Sequence, residues 1–192
     1  ELNEDFFKEI YPAKDIKSED ELKVAIKEEI QQYWDAQSRN QMQDQLYHYL
    51  IDETKMEFPA DFLKRWLQTG GEKPKTAEEA ETEFPGFINQ LTWTLISDKL
   101  IQENKLQVTN EELRDSMKAE IMKYFGAMSM GDDTSWIESY IDRMMKDEKQ
   151  VDSSYRRLIT DKLFGWIETQ AKSEEKEVTG EELNSMMHNH HH

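Results

Sequence analysis

The chain has no cysteine, and only seven glycines and four prolines occur among its 192 residues. Each shortage excludes something. Without thiols there are no disulfides and no thiolate metal sites, a usage that fits a reducing compartment. Glycine and proline are too few to punctuate the many turns of an all-β sandwich or barrel. No apolar run approaches the roughly 18 residues that a membrane-spanning helix needs. No secretory signal peptide is seen, and the abrupt start at Glu1-Leu2-Asn3, without Met, is expected of a fragment of a longer protein. Positive charge is scarce too: 24 Lys and Arg stand against 41 Asp and Glu, a net charge of −17. Such a surface repels phosphate backbones and anionic lipid, so neither nucleic acid nor membrane is expected as a direct partner.

What is present is helix-forming sequence with many aromatics. Hydrophobic residues make up 36% and charged residues 34%, which verges on a composition too polar to fold. Five Trp, seven Tyr and eight Phe supply the missing core material. Four Ser/Thr-x-x-Glu boxes, at Ser18–Glu21, Thr76–Glu79, Thr109–Glu112 and Thr179–Glu182, mark helix starts. The last two sit in nearly the same hexapeptide, Val108-Thr109-Asn110-Glu111-Glu112-Leu113 and Val178-Thr179-Gly180-Glu181-Glu182-Leu183.

Read along the chain, Asn3 to Tyr11 is a short helix or turn ended by Pro12, with Phe6, Phe7 and Ile10 clustered on it. From Ser18 helical periodicity continues to about Glu53, with apolar ends and a polar waist from Asp35 to Gln45 that is expected to cross solvent or the edge of a cleft. Pro59 is expected in the first turn of the next helix, Gly70-Gly71 to stop it, and Pro85-Gly86 to break or kink the one begun at Thr76. Phe87 to Asn104 then reads as the central, best-buried helix. Further helices carry Leu113, Met117, Ile121, Tyr124 and Phe125; then Trp136, Ile137, Tyr140, Ile141, Met144 and Met145; then Val151 to Ile167, with a charged linker and a last short helix beyond. Seven or eight helices and no strand make the fold all-α, in one domain over residues 1–187: long helix 19–54, body 59–104, arms 110–171, terminal helix 180–187. The His-rich tail, residues 188–192, is expected to be disordered and without a structural or catalytic role.

Nothing here reads as catalytic. The acidic residues fall on polar helix faces and in first turns, where solubility and the helix dipole explain them. His48 has no Glu three residues before it, which rules out the di-iron bundle pattern, and reads as a half-buried His between Tyr47 and Tyr49. Ser173-Glu174-Glu175-Lys176 matches Ser-x-x-Lys only by accident of a charged linker. There is no nucleotide motif, and no cofactor or metal is expected. Methionine is more informative, since eight of the ten lie at or after Met117. Met117, Met122, Met144 and Met145 read as core filling. Met128 and Met130, in a loop of small residues, suit an adaptable surface. Trp136 and Tyr140 either close onto a neighbouring helix or line a groove.

The order of these elements resembles the C-terminal, client-binding domain of trigger factor, the ribosome-associated bacterial chaperone. The resemblance is carried by Leu2-Asn3-Glu4-Asp5-Phe6-Phe7-Lys8, by the long capped helix followed by Met56-Glu57-Phe58-Pro59-Ala60-Asp61-Phe62-Leu63, by Asn104-Lys105-Leu106-Gln107-Val108-Thr109, and by the end from Glu177-Val178-Thr179 to Met186-Met187. It implies an elongated helical body with two arms, a cytoplasmic location, and ATP-independent binding of unfolded or nascent polypeptide. The family's ribosome-docking module and its FK506-binding-type prolyl isomerase domain have no counterpart here, so the fragment is expected neither to isomerise Xaa-Pro bonds nor to reach the ribosome by itself. Periodicity and loop position, not any family motif, single out Phe125, Met128, Met130, Trp136, Tyr140 and Met144 as client-contacting residues. A periplasmic SurA-type chaperone domain of similar architecture and a helical scaffold for one specific partner are the alternatives. Homodimerisation is left open.

Overall fold

The structure, a computed structural model, describes residues 4–11, 14–70, 74–125 and 135–189. They form helices α1 (Glu4–Ile10), α2 (Glu19–Glu53), α3 (Ala60–Thr69), α4 (Ala77–Glu103), α5 (Asn110–Phe125), α6 (Ser135–Met144), α7 (Glu148–Gln170) and α8 (Gly180–Asn189). No strand occurs among the described residues, and the fold is all-α as read from the sequence.

α2 runs the full 35 residues that its periodicity predicts. Its cap is shifted by one residue from a regular box. The Ser18 hydroxyl accepts from the Glu21 N–H at 3.2 Å, but the Glu21 carboxylate accepts from the Lys17 N–H at 2.7 Å. Below this start Phe7, Ile16, Leu22 and Ala25 form a small core, with Tyr11 packed on it and its hydroxyl donating to Glu29 at 2.5 Å. Of the expected Phe6–Phe7–Ile10 cluster only Phe7 is buried, because a seven-residue helix offers a single face to α2.

The polar waist of α2 does not simply cross solvent. The Nε and Nη2 of Arg39 donate to the two carboxylate oxygens of Glu168 on α7, each at 3.2 Å, and the Gln43 amide donates to the same carboxylate at 2.9 Å. Burial pushes the Glu168 carboxyl upward, but the donors Gln43 and Arg39 outweigh it and leave the group below the ordinary carboxylate range. The waist is polar because the group it faces on α7 is a carboxylate. One turn further on, Tyr47 meets the edge of Trp93 on α4, which stacks on Phe164 of α7 at 5.5 Å. That aromatic column ties the three longest helices together.

The expectations for α3 and α4 are met only in part. Pro59 sits at the N-cap of α3 rather than inside its first turn. Gly70 ends α3 because of space rather than backbone conformation, since a Cβ there would lie 2.7 Å from the Trp66 indole. Pro85 does not break α4, which is continuous from Ala77 to Glu103. A proline within a helix costs about 3 kcal/mol; here the flanking turns are held by α3, with Phe87 stacked on Trp66 at 5.7 Å and Lys64 lying over Phe84 while paired to Glu81. Nor is the second half of α4 a buried centre. Thr92 and Ile96 are buried, most of its other apolar side chains are half-buried, and Leu95 is exposed.

α4 stops in a Schellman turn. Lys105 takes the left-handed conformation (φ 54°), the Leu106 N–H donates to Ile101 and the Lys105 N–H to Gln102. From there the chain enters α5. The whole exposes 15341 Å² of surface, against about 9,600 Å² for a compact monomer of this mass. The polypeptide is spread out rather than gathered around one core.

Candidate functional site

The start of α5 fixes the region. Thr109 and Glu112 form the reciprocal box, with the Thr109 N–H donating to the carboxylate at 2.8 Å and the Glu112 N–H to the hydroxyl at 3.2 Å. The same carboxylate accepts from Lys162 of α7 at 2.6 Å, and Lys162 also donates to the Gln107 carbonyl. Lys162 first, and then the Thr109 N–H, hold the Glu112 carboxyl below its ordinary range. One contact therefore both starts the helix and docks it on α7.

On its other flank α5 is laced to α6. Arg114 reaches Asp142 at 2.7 Å and Glu138 at 3.2 Å, and Lys118 reaches Glu138 at 2.8 Å. Asp142 and then Glu138 raise the Arg114 pKa, while Lys118 and then Arg114 lower that of Glu138. Between the ladders lies an apolar seam of Met117, Ile121, Ile137 and Ile141, with Trp136, Met144, Met145 and Val151 packed against it. Met117 is wholly buried (0% exposed). Met122 is exposed, contrary to the expected core role.

Between α5, α6 and α7 opens a cleft of about 1000 Å³. Met117 and Ile121 form its base and Tyr140 and Met144 one side. Ser116, Glu120, Lys123, Arg157 and Asp161 provide a polar margin. Arg157 spans the mouth, paired with Glu120 and donating to the Ser116 hydroxyl at 2.9 Å. Among the described residues no group of His, Cys, Asp and Glu could hold a metal ion. What the cleft offers is adaptable apolar surface edged by charge.

Of the six residues singled out in the sequence, the structure brings Tyr140 and Met144 to this cleft. Tyr140 is 43% exposed and meets the half-buried Trp136 edge-on, while Trp136 packs on the apolar seam. Phe125 is the last residue of α5, its side chain lying outside what is described. Met128 and Met130 lie outside the described residues. The margin residues Arg157, Asp161, Ser116 and Glu120 were not singled out. They sit on the solvated faces of separate helices and gain meaning only once α5 is laid against α7.

The family model described as "Probable trigger factor, C-terminal domain" matches residues 38–187, and the chain belongs to that family. Membership implies a chaperone-type function, in the part of trigger factor that is not the isomerase. Among curated proteins, a trigger factor of Chlorobaculum parvum is 28% identical over 135 residues, covering 64% of this chain and 31% of that protein. A trigger factor of Prosthecochloris aestuarii is 23% identical over 202 aligned positions, covering 99% of this chain and 44% of that protein. The chain thus spans less than half the length of these relatives. No solved structure matches it.

Proposed function

We propose that this domain is an ATP-independent chaperone module that holds apolar segments of unfolded or nascent polypeptide, with the α5–α6–α7 cleft as a principal contact. The observation that carries this reading is the cleft itself, where the exposed Tyr140 and the half-buried Met144 line the same opening as Met117 and Ile121. Loose, polarisable contacts of this kind accept many side chains without demanding one shape. The net charge of −17 keeps a chain with open apolar surface soluble. The setting is the cytosol. In the whole protein, ribosome docking and Xaa-Pro isomerisation belong to segments other than this domain.

The test is suppression of aggregation measured over a panel of unrelated unfolded clients. The double variant Tyr140→Ser/Met144→Ser should weaken it several-fold with far-UV circular dichroism unchanged. Undiminished suppression would remove the cleft from the binding surface. Suppression of only one client in the panel would mark the domain as a scaffold for a specific partner.

A further inference from the structure

Two polar ties join α7 to α5 and its entry among the described residues, and they are backed differently. Lys162 holds Glu112 and the Gln107 carbonyl where the capping box already fixes the chain, and Leu113 and Leu163, beside that pair in sequence, are buried. Arg157 holds Glu120 and the Ser116 hydroxyl further along, where residues 118–120 of α5 and 155–157 of α7 are exposed. The side chains of Arg157 and Glu120 are themselves 43% and 50% exposed. An ion pair so open to water contributes little and breaks readily.

This second tie stands where the cleft opens. Ser116 and Glu120 each precede in sequence a residue of the apolar base, Met117 and Ile121, and all four line the same opening as Arg157. Arg157 also has another carboxylate along its own helix. Asp161 lies one turn further on α7, at the spacing where side chains meet on a helix surface. It lines the cleft too, and it has no hydrogen bond or ion pair among the described residues. A guanidinium that leaves Glu120 for Asp161 exchanges one solvent-exposed carboxylate for another and is not stranded.

We propose that Arg157 is a two-position gate on the cleft. Bonded across to Glu120 and Ser116 it bars the mouth; swung along α7 to Asp161 it admits an apolar stretch of client. The swing asks for little energy, because each position offers the guanidinium one carboxylate and water. In the open position the methylene stem of Arg157 stays beside the apolar base and packs on the entering chain, while its charged head remains in solvent. This inference rests on the reading of the cleft as a polypeptide-binding surface and adds what controls entry to it.

The experiment is the rate at which the full 192-residue chain captures an unfolded client, with the urea midpoint as the control for folding. Arg157→Glu and Glu120→Arg each turn attraction across the mouth into repulsion, yet they shift the net charge in opposite directions. Both should quicken capture by about two- to fivefold, the span of an exposed ion pair, and the double swap should restore the rate of the unaltered chain. Should a reversed charge lower the midpoint, Arg157→Met removes the pair without repulsion and carries the same expectation. Asp161→Asn should slow capture, and should have no effect once residue 157 is Met. Opposite shifts in the two single variants would overturn the gate in favour of plain charge attraction between client and cleft. Slower or unaltered capture in both would overturn it outright, as would an Asp161→Asn effect that persists in Arg157→Met. If the swaps fail while Tyr140→Ser/Met144→Ser still weakens capture, the gate falls and the binding cleft stands. If Tyr140→Ser/Met144→Ser leaves capture untouched, the polypeptide-binding reading itself fails.

Discussion

α5 and α8 begin with almost the same six residues, and in both the box closes with the same geometry. The backbone N–H of Thr109 or Thr179 donates to the glutamate at 2.8 or 2.7 Å, and the glutamate's own N–H returns to the hydroxyl at 3.2 Å. Beyond the first turn they diverge. Glu112 also accepts from Lys162, whereas Glu182 bonds only within its own turn. α5 buries Leu113, Met117 and Ile121 between two helices; α8 buries Leu183. Even the one residue that differs is informative. Asn110 is exposed, and Gly180 is where the helix must approach an indole. A local motif decides where a helix starts, and long-range partners decide how firmly it is held.

The sharpest way to break that contrast is to remove one buried side chain from each. Met117→Ala should cost about 2–5 kcal/mol of global stability through the cavity it leaves, seen as a shifted urea midpoint. Leu183→Ala should leave that midpoint nearly unmoved and show only as lost helix signal from the last ten residues. Equal shifts would mean that α8 belongs to the same cooperative unit.

Acid is the next lever. The carboxyls of Glu112 and Glu138 have folded pKa values below their unfolded ones, by the lysines and arginine described above, and Glu182 is lowered by the Thr179 N–H and hydroxyl. Their stabilisation is complete above the unfolded carboxylate pKa of about 4.3 and is lost as pH falls through the lowered folded values. From neutrality down to about pH 5 the shrinking net charge should hold the melting temperature level or raise it. Below about pH 4.3 it should drop, with α5–α7 failing before the local box of α8. A melting temperature that rises without reversal to pH 3 would contradict the ion-pair account. The smallest effect is that of Lys162→Met, expected to lower the urea midpoint only slightly because the pair is partly exposed. It should vanish in a Glu112→Gln background if the pair is the cause.

Much of the fold was legible because its signals are local. The capping boxes fixed the starts of α2, α4, α5 and α8, and the 35-residue span of α2 followed from its box and its periodicity. What failed was whatever depends on a distant partner. Pro85 lies in an unbroken helix since α3 supports its flanks, and the partner of the α2 waist, expected to cross solvent or the edge of a cleft, could not be named because Glu168 is 125 residues beyond Gln43. The cleft shows the same division. Tyr140 and Met144 could be found from the stripe on α6, but Arg157 and Asp161 look like any solvated face until α7 is set against α5.

The 15341 Å² of exposed surface has a practical consequence. A 22.9 kDa chain so spread drags on water like a heavier particle. Its elution from a sizing column overstates its mass, and a monomer will pass for a dimer. Only mass read directly, by light scattering or sedimentation equilibrium, distinguishes long limbs from a second copy.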